Sequence, residues 1–169
     1  MALSALAAGA GLWFTATRAF YAPIDGPVTL TLLTDDILVT LPATNVEAIA
    51  STSSPLGFRA CFTHGVDIAA PDLAPQPHPD PAPTIAPAWF DCFDAPAIGA
   101  LLSSGEAQAF TAYENAQYGT DRVVALTPDG RGWAWHQLND CGDRAYDGTP
   151  VGEACPDRAT FTPLIEGSL

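Results

Sequence analysis

The chain contains no lysine. Its six cations are all arginine and stand against 19 acidic residues, for a net charge of −13 and a pI near 4.1. With no basic patch, such a surface repels a phosphate backbone, which argues against nucleic-acid binding. No charged side chain occurs from Met1 to Thr17, and no Cys-x-x-Cys occurs anywhere. Also missing are Gly-x-Ser-x-Gly, His-Glu-x-x-His and Gly-x-Gly-x-x-Gly, as is any internal repeat. What remains is 169 residues, 48% of them hydrophobic, with 16 prolines and 14 glycines. That is too apolar for a disordered acidic tail and too rich in helix breakers for an all-helical bundle. The length fits one domain plus a short appendage, not two domains.

The uncharged start, MALSALAAGAGLWFTAT, precedes Arg18 and ends before Pro23. Leu12, Trp13, Phe14, Phe20 and Tyr21 gather towards its carboxyl end, as aromatic residues do where a helix leaves a bilayer. Seventeen residues span ~26 Å, the lower limit for a transmembrane helix. Residues 1–22 therefore read as an anchor, against a cleaved signal peptide lacking its basic start or a buried core helix. Arg18 after the apolar run weakly favours a cytoplasmic domain; the cysteines argue the other way.

Cys61, Cys92, Cys141 and Cys155 are separated by 30, 48 and 13 residues. Zinc ligands usually come in closely spaced pairs, so structural disulfides are the better reading. Three connectivities are open, and Cys61–Cys92 with Cys141–Cys155 is favoured. Disulfides persist outside the cytoplasm. An anchor followed by an acidic, disulfide-bearing domain reads as an inner-membrane protein with its bulk in the bacterial periplasm.

Within residues 23–169, apolar β-branched runs predict strands at 27–33, 37–41 and 56–62, with 42–55 ambiguous. Residues 71–87 hold seven prolines in seventeen positions and read as an extended loop tethered inside the domain. Asp94 and Gly105 bracket a short helix over 95–104. A strand follows at 106–113. Val123–Leu126 and Gly132–Leu138 flank Thr127-Pro-Asp-Gly-Arg131, a β-hairpin signature. Its second strand places Trp133, Trp135 and Gln137 on one face, with Ala134, His136 and Leu138 on the other. The last thirty residues read as loop with a frayed tail. The expected fold is α+β: an N-terminal membrane-anchor helix, then a small disulfide-stabilised antiparallel-sheet domain with one short helix.

Ser54-Pro-Leu-Gly-Phe-Arg-Ala-Cys-Phe62, Trp89-Phe-Asp-Cys-Phe-Asp-Ala-Pro-Ala-Ile-Gly99 and Tyr118-Gly-Thr-Asp-Arg-Val-Val-Ala-Leu-Thr-Pro-Asp-Gly-Arg-Gly132, with Trp135-His-Gln beyond, carry a resemblance. The chain resembles a family of small membrane-anchored alphaproteobacterial proteins of unknown function, sometimes labelled histidine kinases. The resemblance brings no catalytic residues. The kinase label finds no nucleotide-binding glycine box here, and 169 residues cannot hold an ATPase domain with a dimerisation helix pair.

Three chemistries are open to the polar residues. His136, near Asp129, Asp140 and Asp143 in sequence, has the neighbours of a general base, or is an ordinary histidine on the solvated hairpin face. Cys61 or Cys92 with His64 would make a nucleophile, unless the cysteines pair. Asn139-Asp140, Asp143 and Asp147-Gly148 offer oxygens to calcium but lack EF-hand spacing. No cofactor or metal is expected. Trp89, Phe90, Trp133 and Trp135 are candidate partner contacts. The expected function is a non-catalytic, single-anchor accessory subunit of a respiratory or photosynthetic membrane complex. Its expected partners are integral membrane subunits and a basic periplasmic protein such as a cytochrome. The alternatives are a free-standing periplasmic binding or assembly factor, and a small periplasmic enzyme or metal carrier.

Overall fold

A computed structural model of the chain describes every residue except Met1, Arg18, Ala19, Thr52, Pro71, Asp72 and 166–169. The orientation reading at Arg18 and the end of the frayed tail lie outside the described residues. In chain order the elements are α1 (Ala2–Thr17), β1 (Tyr21–Pro23), β2 (Thr31–Thr34), β3 (Ile37–Thr40), β4 (Ala43–Ser51) and a 3-10 turn (Pro55–Gly57). Then follow β5 (Arg59–His64), α2 (Ala95–Ser104), β6 (Gln108–Gln117), β7 (Thr120–Leu126) and β8 (Arg131–Leu138). Six strands form one antiparallel sheet in the order β1-β4-β5-β8-β7-β6, and β2 with β3 forms a separate hairpin.

Both faces of the large sheet are covered, and alternation along the central strands divides two cores. Ala60, Phe62, Val124, Leu126 and Ala134 face Leu30, Leu32 and Leu41 of the β2–β3 region. Their neighbours Cys61, Val123, Ala125, Trp133 and Trp135 face Phe90, Phe93 and the Ala95 and Ile98 side of α2. The β7–β8 turn closes as its residues demand: Gly130 takes φ 91°, and its N–H donates to the Thr127 carbonyl at 3.1 Å. The Asp94 carboxylate caps α2 by accepting from the Ala97 N–H at 3.1 Å, and Gly105 ends it at φ 78°.

Several boundaries differ from expectation. The first apolar run pairs only over β2, and the ambiguous stretch becomes the nine-residue β4. The strand expected from Leu56 begins at Arg59, because Pro55–Gly57 form the 3-10 turn. The proline-rich segment stays extended but serves the sheet edge. The Gln76 N–H donates to the Leu33 carbonyl, and Thr111 N–H and His78 N–H close a short ladder to β6. This shields part of an edge that would otherwise offer unpaired backbone.

The anchor reading is corrected in two respects. No helix among the described residues is long and apolar enough to cross a membrane. The sixteen residues of α1 reach only ~24 Å against a hydrocarbon core of ~30 Å. Tyr21 is no membrane-interface residue either; it pairs with Ser51 in the sheet and packs half-buried against the α2-side core. Phe20, just before it, is exposed.

Gly132 sits opposite Phe62 in the β5–β8 ladder, and a Cβ there would run into the Phe62 ring. Gly132→Ala should therefore lower stability by about 1–3 kcal/mol, read from urea unfolding midpoints. An unchanged midpoint would mean that the ring moves aside freely.

Candidate functional site

His136 is not on a solvated face. It is 4% exposed, stacked on Phe58 with ring centroids 4.9 Å apart. Its Nδ1–H donates to the Pro55 carbonyl at 2.7 Å, and Nε2 accepts from Arg122 Nε at 3.2 Å and Nη2 at 3.1 Å. That arrangement requires a neutral ring with the proton on Nδ1. Burial, then the Arg122 charge, pushes the imidazole down to about 3. Asp129 instead pairs with Arg131 at 2.9 Å, and Asp140 accepts from the Glu153 N–H. Both ring nitrogens are committed to protein partners, so the general-base reading is replaced by a structural one. His136 joins the 3-10 turn to the sheet.

Two arginines missing from the candidates complete this interior. Arg122 is 2% exposed, its guanidinium carbon 3.8 Å from the Phe58 ring centroid. Arg59 is equally buried, and its guanidinium donates to the carbonyls of Leu56, Phe58, Thr84 and Ile85. Burial pushes it down to about 10. Arg59 thus fastens the end of the proline-rich segment to the sheet. Gln137 fastens its middle, accepting from the Ala82 N–H and donating to the Asp80 carbonyl.

Cys61 bonds Cys92, and Cys141 bonds Cys155, so the described chain holds no free thiol. A nucleophilic role for Cys61 or Cys92 with His64 is overturned by that bond. The two side chains also point apart: Cys61 joins the α2-side core, whereas His64 lies beside Phe62 on the other face. The acidic loop is hydrogen-bonded within itself and to the sheet. Asp147 accepts from Thr149, and Asn139 bridges Asp121 and Asn115. No group of three or more His, Cys, Asp or Glu among the described residues is placed to hold a metal ion.

The aromatic candidates are core. Trp135 is 0% exposed, meeting Phe93 edge to face; Trp133 donates its indole N–H to the Cys92 carbonyl at 3.2 Å; Phe90 is buried beside them. Trp89 is half-buried against the same core. This packing corrects the reading of Trp133 and Trp135 as partner contacts: both are core side chains, 9% and 0% exposed.

Large apolar exposure lies elsewhere. Every residue from Ser4 to Thr15 of α1 is exposed, with Leu6 at 71%, Leu12 at 75%, Trp13 at 61% and Phe14 at 54%. On the β2–β3 hairpin, Ile37, Leu38 and Val39 are exposed in sequence.

Fold and interior together define a disulfide-stapled antiparallel α+β domain with a helix before it. The chain belongs to a family of unknown function, DUF6446, which matches residues 28–156, from just after β1 to just past the second disulfide. No curated protein and no solved structure matches the chain.

Proposed function

We propose that the protein is a non-catalytic accessory subunit of a larger membrane protein complex. In this reading its disulfide-bonded domain lies on the periplasmic face, and α1 packs on integral subunits. The observation that carries the reading is α1, sixteen residues without a charge and exposed throughout Ser4–Thr15. A helix that is apolar on every side has its stable place among other apolar surfaces. Too short to span alone, it gains most by lying against neighbouring helices. A Cβ added at Gly9 or Gly11 would meet nothing, which leaves the backbone there open to close helix packing. The two disulfides support an oxidising compartment. A non-catalytic role is supported by His136, Cys61 and Cys92, each already committed to a partner within the fold. A respiratory or photosynthetic host would suit the acidity, which draws basic soluble proteins.

The test is a carboxyl-terminal tag, native membranes solubilised in mild detergent, and a native gel. Stoichiometric co-migration with one large complex is expected. A chain lacking residues 1–17 should fold, run alone and leave the complex without it. Migration of the full chain by itself would overturn the reading.

A further inference from the structure

The residues between the proline-rich segment and α2 form a cleft of about 350 Å³. That is near the small end of ligand-sized cavities, about 300–1,000 Å³. Ile85, Pro87, Phe90, Phe93, Asp91 and Asp94 are among the residues that line it. We propose that this cleft is the docking site for an arginine or lysine side chain of a basic partner protein. The inference rests on the accessory-subunit reading for the existence of such a partner, and names the chemistry by which it is held.

Three features argue for that occupant. The first is charge. Asp91 and Asp94 are exposed carboxylates on a chain of net charge −13. Asp94 uses one oxygen, Oδ1, to cap α2, while the Asp91 carboxylate accepts no hydrogen bond among the described residues. Arg59, with its guanidinium 5.8 Å from the Phe93 ring centroid, donates to four carbonyls and to neither carboxylate. The second is lining. A lining that combines apolar side chains, Ile85 and Pro87 among them, with two carboxylates matches a long cationic side chain, whose stem is apolar and whose head is charged. The third is rigidity. The Cys61–Cys92 bond, the Trp133 indole on the Cys92 carbonyl and Arg59 on the Ile85 carbonyl all hold this segment in place. A cleft already in shape loses little freedom when filled.

The experiment uses the full chain in detergent at 0.1 M salt, on the order of a 10 Å screening length. The probe is an amidated octapeptide of alternating arginine and glycine, titrated while backbone amide NMR shifts are followed. Saturable shifts centred on 85–96 are expected. Asp91→Asn with Asp94→Asn removes both charges and keeps a capping side chain, and should weaken binding at least about fivefold. Asp35→Asn with Asp36→Asn, at the β2–β3 turn, removes the same charge elsewhere and should stay within about twofold. The same peptide with glutamine for arginine should not bind. Equal weakening by both pairs would reduce the effect to the general acidic field and overturn the proposal, as would shifts centred elsewhere or no binding. Acetyl-arginine amide binding as tightly as the peptide would overturn a protein partner in favour of a small cation. If Asp91→Asn with Asp94→Asn loses the peptide yet still co-migrates with the membrane complex, α1 and the cleft have separate tasks. Failure of peptide binding with co-migration intact would sink only the cleft.

Discussion

Between pH 7 and pH 4 the domain should lose about 3 kcal/mol of stability through His136 alone, given an imidazole held down to about 3. The sign follows from where the proton is bound. In the unfolded chain the ring protonates near 6.5, its ordinary value. In the folded chain it stays neutral to about 3, because the charged form would be buried and would face the Arg122 guanidinium. Above pH 6.5 neither state holds the proton and the contribution is fully present. Below it the unfolded state is favoured by about 1.4 kcal/mol for each pH unit until the folded ring also protonates. His78, lowered by burial, adds in the same direction, and carboxylates titrate in the same range. The comparison with His136→Gln removes those shared terms. The variant should be about 1–3 kcal/mol weaker at pH 7, since one glutamine cannot satisfy both Arg122 and Pro55. Its deficit should vanish or reverse by pH 4. Urea midpoints of both proteins at half-unit steps read this directly, and parallel curves would show that the folded ring protonates normally.

The same network marks where the sequence was legible and where it was not. Punctuation residues act locally, so they were readable. Asp94 and Gly105 bracket α2 where expected, and Thr127–Arg131 turns one strand into the next. Side-chain environment was not readable where it depends on what covers a strand. His136 alternates with Trp135 and was placed on a wet face by that alternation. The sheet is covered on both sides, so alternate positions enter two cores instead of core and water. Strand β7 is buried from Thr120 to Leu126, with Asp121 and Arg122 inside it. One signal did exist. Only six cations occur in the chain, yet Arg59 stands between Phe58 and Ala60, and Arg122 precedes Val123-Val124. Arginine inside such runs needs an internal set of acceptors, and carbonyls with a neutral histidine provide it. The strand at β3 was readable but its exposure was not, because the hairpin is an outer layer and only β2 faces inwards.

Removing the Cys61–Cys92 bond by Cys61→Ala with Cys92→Ala should lower global stability by roughly 3–4 kcal/mol, from the loop entropy of its 31-residue separation. The bond joins β5 at the centre of the sheet to the segment that leads into α2, so nothing can unfold locally to relieve its loss. Its loop contains the whole proline-rich segment, whose remaining ties include hydrogen bonds to Arg59, Gln137, Leu33 of β2 and the β6 edge. Cys141–Cys155 presents the opposite case. It closes an exposed loop outside the sheet, and a loop of that size is worth about 3 kcal/mol in the same chain-entropy model. Much of that value depends on the loop being folded with the domain. An exposed loop opens by itself at small cost, so Cys141→Ala with Cys155→Ala should shift the global midpoint by less than half as much. The check is urea unfolding followed by tryptophan fluorescence, since Trp133 and Trp135 sit in the core that the first bond closes. A larger loss from the second pair would mean that the carboxyl-terminal loop is part of the cooperative unit, held there by contacts such as Leu164 N–H on the Ala116 carbonyl of β6.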